Sequence, residues 1–172
     1  MRGSDRGFTL IELLIVVAII SIIAAIAVPG LLRARMSGNE TSAIASLRAT
    51  STSQIMYSAS CGSGGYAADY TVLGTPPVAG SEAFISADLG MVATPQKAGY
   101  NFNLGAAAGS AAGPNDCLGT ATVTAWYATA VPQTFGTTGT RSFAVNTANT
   151  VWQNFTAAAP TEPFAAPATP VQ

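Results

Sequence analysis

Arg6-Gly7-Phe8-Thr9-Leu10-Ile11-Glu12-Leu13-Leu14-Ile15-Val16-Val17-Ala18-Ile19-Ile20 opens an apolar run that continues to Leu32, and its reading decides the rest of the chain. Across residues 8–32 the side chains that are not apolar, Gly or Pro are Thr9, Glu12 and Ser21. These 25 residues exceed the roughly 20 that carry a helix across a bilayer. The competing interpretation is a secretory signal peptide, because Ala25-Ile26-Ala27 has the form of a cleavage site and would start the mature chain at Val28. The length of the run and the acid inside it favour a retained segment. A carboxylate in a membrane helix costs on the order of 3 kcal/mol on insertion scales. Glu12 therefore needs a specific partner or an escape into the headgroups near the cytoplasmic end.

The same residues, followed by Pro29, resemble the prepilin signature shared by type IV pilins and the pseudopilins of type II secretion. The resemblance covers about the first thirty residues and implies a chain of events at its N terminus. A prepilin peptidase would cut between Gly7 and Phe8 on the cytoplasmic side and methylate the new amine of Phe8. Glu12, the fifth mature residue, would neutralise the Phe8 amine of a neighbouring copy during assembly. The leader, with Arg2 and Arg6, would stay in the cytoplasm, while Arg33 and Arg35 would sit at the outer headgroups. The partners implied are further copies in a helical homopolymer, the peptidase, an inner-membrane assembly machinery, and lipid before assembly. The precursor would lie in a bacterial inner membrane and the filament in the periplasm or outside the cell. The resemblance points to a type IV pilus subunit serving adhesion, motility or a related surface role. A major-type pseudopilin is the alternative, and a membrane-tethered periplasmic binding module a remote one.

The fold expected is α+β and pilin-like: a leader at 1–7, a membrane and assembly helix at 8–32, a helical stem at 33–60 packed on a head at 61–156, and a flexible Pro/Ala/Thr tail at 157–172. Met36, Ile44, Leu47, Ile55 and Ala59 suggest one loose apolar stripe on the stem. Pro29 and Gly30 predict a kink or local melting, and a continuous helix over residues 8–60 would measure roughly 80 Å. The stretch after Cys61 reads as loop with one short helix near 81–89. Strands are expected at 100–104, 120–131, 142–145 and 151–155, the last two joined as a hairpin.

Composition removes most chemistry. There is no histidine, which excludes Ser-His and Cys-His nucleophile pairs, and no catalytic residue, metal site or cofactor suggests itself. The formal charge of −1 gives no footprint for nucleic acid. Charged residues are 9% of the chain, against about 25% typically, so the surface is small and neutral. Two cysteines are too few for a zinc site, and in an exported chain Cys61 and Cys117 read as one disulfide. It would close 55 intervening residues, a stabilisation of about 4 kcal/mol on the loop-entropy model. Many type IV pilins instead bracket a segment near the C terminus, so this pairing departs from the pattern. The formal G-x-G-x-x-A at Gly62 to Ala67 follows a helix rather than a strand and reads as a turn. Trp126, Tyr127 and Trp152 are read as core or subunit-contact residues, and Asp69, Glu82, Asp88 and Asp116 as scattered acids.

Overall fold

The structure is a computed structural model describing residues 7–171. The leader, apart from Gly7, lies outside the described residues. The chain divides into two compact units, Met1–Arg35 and Met36–Gln172.

Helix α1 spans Leu10–Ser60. In the first unit its side chains are exposed among the described residues: Leu10 is 80% exposed, Ile19 53% and Ile26 77%. Mean hydropathy reaches 3.0 over an 18-residue window, long and apolar enough to cross a membrane. Helical hydrogen bonding continues through Pro29 and Gly30, so the helix does not melt there. Ser21 returns its hydroxyl to the Val17 carbonyl at 2.8 Å, which satisfies it within the helix.

The second unit holds the core. Residues 36–60 of α1 bury Glu40, Ala43, Leu47, Thr50, Gln54 and Tyr57, spaced alternately three and four apart, and Cys61 continues the row. This is a single helical face, but not the stripe expected: Ile55 is 52% exposed and Ala59 is exposed, while Met36 and Ile44 are only partly covered. The face was hard to see because three of its members are polar, and each is satisfied by the head. Gln54 exchanges two hydrogen bonds with the backbone of Ala67, both 2.9 Å, and the Thr50 hydroxyl lies 3.1 Å from that of Tyr70. The helix ends where Gly62 donates to the Tyr57 carbonyl at 2.7 Å. A side chain at Gly62 would meet Gly65 O at 2.3 Å and the Tyr57 ring at 2.8 Å, so the turn demands glycine.

Two single-turn helices follow, α2 (Tyr70–Leu73), capped by Asp69, and α3 (Ala87–Gly90). The main sheet comprises β1 (Gln96–Lys97), β2 (Tyr100–Ala106), β5 (Trp126–Pro132), β6 (Ser142–Asn146), β7 (Trp152–Asn154) and β8 (Thr169–Pro170), ordered β1-β2-β5-β6-β7-β8 and antiparallel throughout. A separate hairpin, β3 (Ala112–Asn115) with β4 (Ala121–Val123), is inserted between β2 and β5. Alternate residues of β5 are buried, so Trp126, Ala128 and Ala130 face the core that also takes Tyr100, Phe102, Leu104, Phe143 and Val145. The segment 120–131, expected as one strand, breaks at Thr124 and Ala125, whose backbone N–H groups go to Ala111 O and the Ser110 hydroxyl.

The tail is the clearest difference from expectation. Rather than hanging free, residues 160–171 lie along the sheet, and β8 covers the edge of β7. Phe164 stacks on Trp152 with centroids 5.3 Å apart and leans on Tyr127, whose hydroxyl donates to Pro160 O. Glu162 accepts from the Ala108 N–H at 2.9 Å and the Asn146 amide at 2.6 Å. Proline-rich composition predicts an extended chain, which this segment is; it is held by a few aromatic and carboxylate contacts that composition does not show.

Candidate functional site: the N-terminal helix and its carboxylate

Thr9 immediately precedes α1 and Glu12 is its third residue. The Thr9 N–H and hydroxyl both donate to Glu12 Oε2, at 2.9 and 2.6 Å, and the Glu12 N–H donates back to the Thr9 hydroxyl at 3.3 Å. This reciprocal arrangement is a capping box, which satisfies N–H groups that a helix start leaves open. It also fixes the carboxylate. Both Thr9 donors fall on Oε2, so Oε1 receives no hydrogen bond among the described residues. A cation approaching the helix start would find one oxygen anchored and the other open. Sequence reasoning singled out Glu12 but not Thr9; the legible signal was the Thr-x-x-Glu spacing ahead of an apolar run.

Around this carboxylate the surface is hydrocarbon. Phe8 is 87% exposed, Ile11 67%, Leu13 62% and Leu14 60%. Gly7 and Gly30 have no atom within 4 Å of where a side chain would begin, so neither is required by packing in the described residues.

The head's ionisable groups are engaged differently. Glu40 is 5% exposed and accepts from Thr140 N–H (2.8 Å), the Thr140 hydroxyl (2.9 Å) and Arg141 Nε (2.9 Å), with Arg141 Nη2 at 2.8 Å. Burial acts to raise its pKa, but the Thr140 and Arg141 donors and the arginine's charge outweigh that and hold it below its ordinary value. Arg141 Nη1 donates onward to Gln153, joining α1 to β6 and β7. Asp116 is arranged similarly: burial raises its pKa, while donation from the Tyr57 hydroxyl at 2.8 Å and from Thr120 and Leu118 N–H groups lowers it below the ordinary value. Burial first, then the Asp116 hydrogen bond and charge, push Tyr57 upward; burial pushes Tyr70 to about 12. Cys61 and Cys117 form the disulfide, with Cα atoms 4.8 Å apart. Their backbones are also joined, Cys117 N–H to Cys61 O at 2.8 Å, so the inserted hairpin is fastened to the end of the stem. Among the described residues no group of three or more His, Cys, Asp or Glu is placed to hold a metal ion.

These features define a chain with a prepilin-type N terminus: residues 2–28 match the family described as the prokaryotic N-terminal methylation motif. Over part of its length the chain is similar to type IV pilins. It is 53% identical over 57 residues to the type IV wide pilus major component PilA4 of Thermus thermophilus, covering 33% of this chain and 43% of that protein. It is 50% identical over 50 residues to the type IV major pilin protein PilA of Myxococcus xanthus, covering 29% of this chain and 23% of that one. The matched region is thus under half the length of either relative. No solved structure matches the chain significantly.

Proposed function

We propose that the chain is the structural subunit of a type IV pilus filament, polymerising through its N-terminal helix. The observation that carries this reading is Glu12, a carboxylate with one open oxygen set in a helix whose apolar side chains have no cover of their own. Lipid covers that surface in the precursor and neighbouring helices cover it after assembly. A peptidase cuts between Gly7 and Phe8, the amine of Phe8 is methylated, and this cation meets Glu12 Oε1 of the next copy. The pairing offsets a desolvation cost on the order of 3 kcal/mol for the lone carboxylate. Pro29 lacks the N–H that would bond the carbonyl four residues back, and with Gly30 it marks where the helix bends as the subunit leaves the bilayer. The assembly machinery of the inner membrane lifts the subunit, and the filament stands outside the cell. A pilus is favoured over a secretion pseudopilus because both similar proteins carry pilus names.

Glu12→Ala tests the reading. The variant is expected to reach the membrane in wild-type amounts and to yield no sheared filaments. Filaments at wild-type yield would remove the role given to Glu12. Loss of protein secretion on deletion, with no surface filaments from the native chain, would transfer the reading to a pseudopilus.

A further inference from the structure

A cleft of about 230 Å³ opens on the head where the end of the stem meets α2 and the turn between β3 and β4. The polar part of its wall is Tyr57, Thr71, Thr75, Asp116 and Thr120, and the rest is hydrocarbon and sulfur from Val72, Phe84, Leu118 and Cys61. All of these residues belong to the second unit, and none has a part in the N-terminal site. At about 30 Å³ for each water in the liquid, the volume suits a molecule of roughly seven or eight heavy atoms.

The polar wall accepts and does not donate. The Tyr57 hydroxyl gives its proton to Asp116 Oδ2 at 2.8 Å, the Thr71 hydroxyl to Asp69 Oδ1, and the Thr75 hydroxyl to the Thr71 carbonyl at 2.8 Å. The Thr120 side chain bears on the same Asp116 carboxylate. With their hydrogens committed inside the protein, these side chains offer the cleft oxygen lone pairs. Asp116 adds a charge. It is 7% exposed; burial acts to raise its pKa, but the donors from Tyr57, Thr120 and Leu118 outweigh that and keep it ionised at neutral pH. Oδ1 takes both backbone N–H groups, from Leu118 at 2.9 Å and Thr120 at 2.6 Å, whereas Oδ2 takes the Tyr57 hydroxyl alone. Among the described residues no cation pairs with it; the ion pairs of the head are Arg141 with Glu40 and Lys97 with Asp88.

An acceptor wall around a buried anion selects its ligand by exclusion. A second anion meets like charge, and a neutral polyol brings acceptors of its own to a wall without donors. A hard metal ion takes about six or more oxygens, and much of this wall is apolar. An ammonium group has N–H donors and no acceptor. Hydrocarbon attached to it finds Val72, Leu118 and the Tyr57 and Phe84 rings, which meet edge to face with centroids 5.3 Å apart. We propose that this cleft binds a small aliphatic ammonium ion, whose nitrogen meets Asp116 Oδ2 and whose hydrocarbon lies against Val72, Phe84 and Leu118. The site depends on the head alone and stands whether or not the chain polymerises.

The test titrates n-butylammonium chloride into the isotope-labelled full-length chain in a non-ionic detergent. It follows the backbone amide resonances of Leu118 and Thr120, both of which donate to Asp116. Saturable shifts are expected with a Kd of about 1–10 mM. The uncharged n-butanol, with the same hydrocarbon, should bind at least about tenfold more weakly. Asp116→Asn keeps Oδ1 as acceptor for the two N–H groups and should weaken n-butylammonium binding about tenfold or more. Leu118→Lys, at a side chain 51% exposed, places a tethered ammonium at the rim and should abolish the response to added amine. That variant decides the matter if Asp116→Asn fails to fold. Absence of saturable shifts, equal affinity for n-butanol, a folded Asp116→Asn chain that binds as tightly as wild type, or a Leu118→Lys chain that answers added amine normally would each overturn the proposal.

Discussion

Glu40→Ala should be the most damaging single change on the stem face. The substitution deletes the acceptor of the Thr140 N–H and hydroxyl and of two Arg141 nitrogens, all within 2.9 Å, at a site 5% exposed. Breaking a buried pair by removing one partner costs about 3–5 kcal/mol. The lower end applies, because the Arg141 side chain is 27% exposed and keeps Gln153 as an acceptor. The expected loss is about 3 kcal/mol, which for a head of this size lowers Tm by about 10 °C. The assay is thermal unfolding of the full chain in detergent, followed by the near-ultraviolet signal of buried Trp126. Arg141→Ala leaves the more deeply buried Glu40 with only the two Thr140 donors and should cost a comparable amount, and the double variant should lose less than the two singles together. A Glu40→Ala loss below about 0.5 kcal/mol, the range of ordinary surface changes, would refute the claim that this network clamps stem to sheet.

Acid should destabilise the head through the same groups. The folded pKa values of Glu40 and Asp116 lie below their ordinary values of 4.5 and 3.8. The unfolded chain therefore binds more protons in the intervening range, so their contribution is full above about pH 5 and is lost as pH falls through the folded values; Glu40→Gln with Asp116→Asn should flatten that limb in pH-dependent unfolding. Replacing both Cys61 and Cys117 by Ser should cost about 4 kcal/mol in denaturant unfolding, because the bridge closes a long loop and fastens the β3–β4 hairpin to the stem. Phe164→Ala should lose about 1–2 kcal/mol with its stack on Trp152. The same variant should speed proteolysis within residues 157–171; cleavage there at the same rate in wild type would mean that the tail is not held by this stack.

What was legible in the sequence followed the range of the forces involved. The apolar run, the long helix, the strands at 100–104 and 142–145 and the hairpin at 146–150 are set by local hydrophobic pattern, and all are present. The Cys61–Cys117 bridge was legible because only one pairing was available. The stem's buried face was not, since Glu40, Thr50 and Gln54 belong to the core only through partners 13 to 101 residues away. The docking of the tail on the sheet was missed for a related reason: it depends on Phe164 meeting Trp152 and on Glu162 reaching Asn146, contacts that proline content masks. At the N terminus the Thr9–Glu12 box was written in the residue spacing, while the open Oε1 required coordinates.

The central claim is that the apolar segment is retained as a processed assembly helix, and the intact mass of the chain purified from its native membrane, with N-terminal fragmentation, tests it most directly. A chain starting at Phe8 with one added methyl group is the predicted result. A chain starting at Val28 would contradict it, because the segment would then be a discarded signal and Glu12 would be absent from the mature protein.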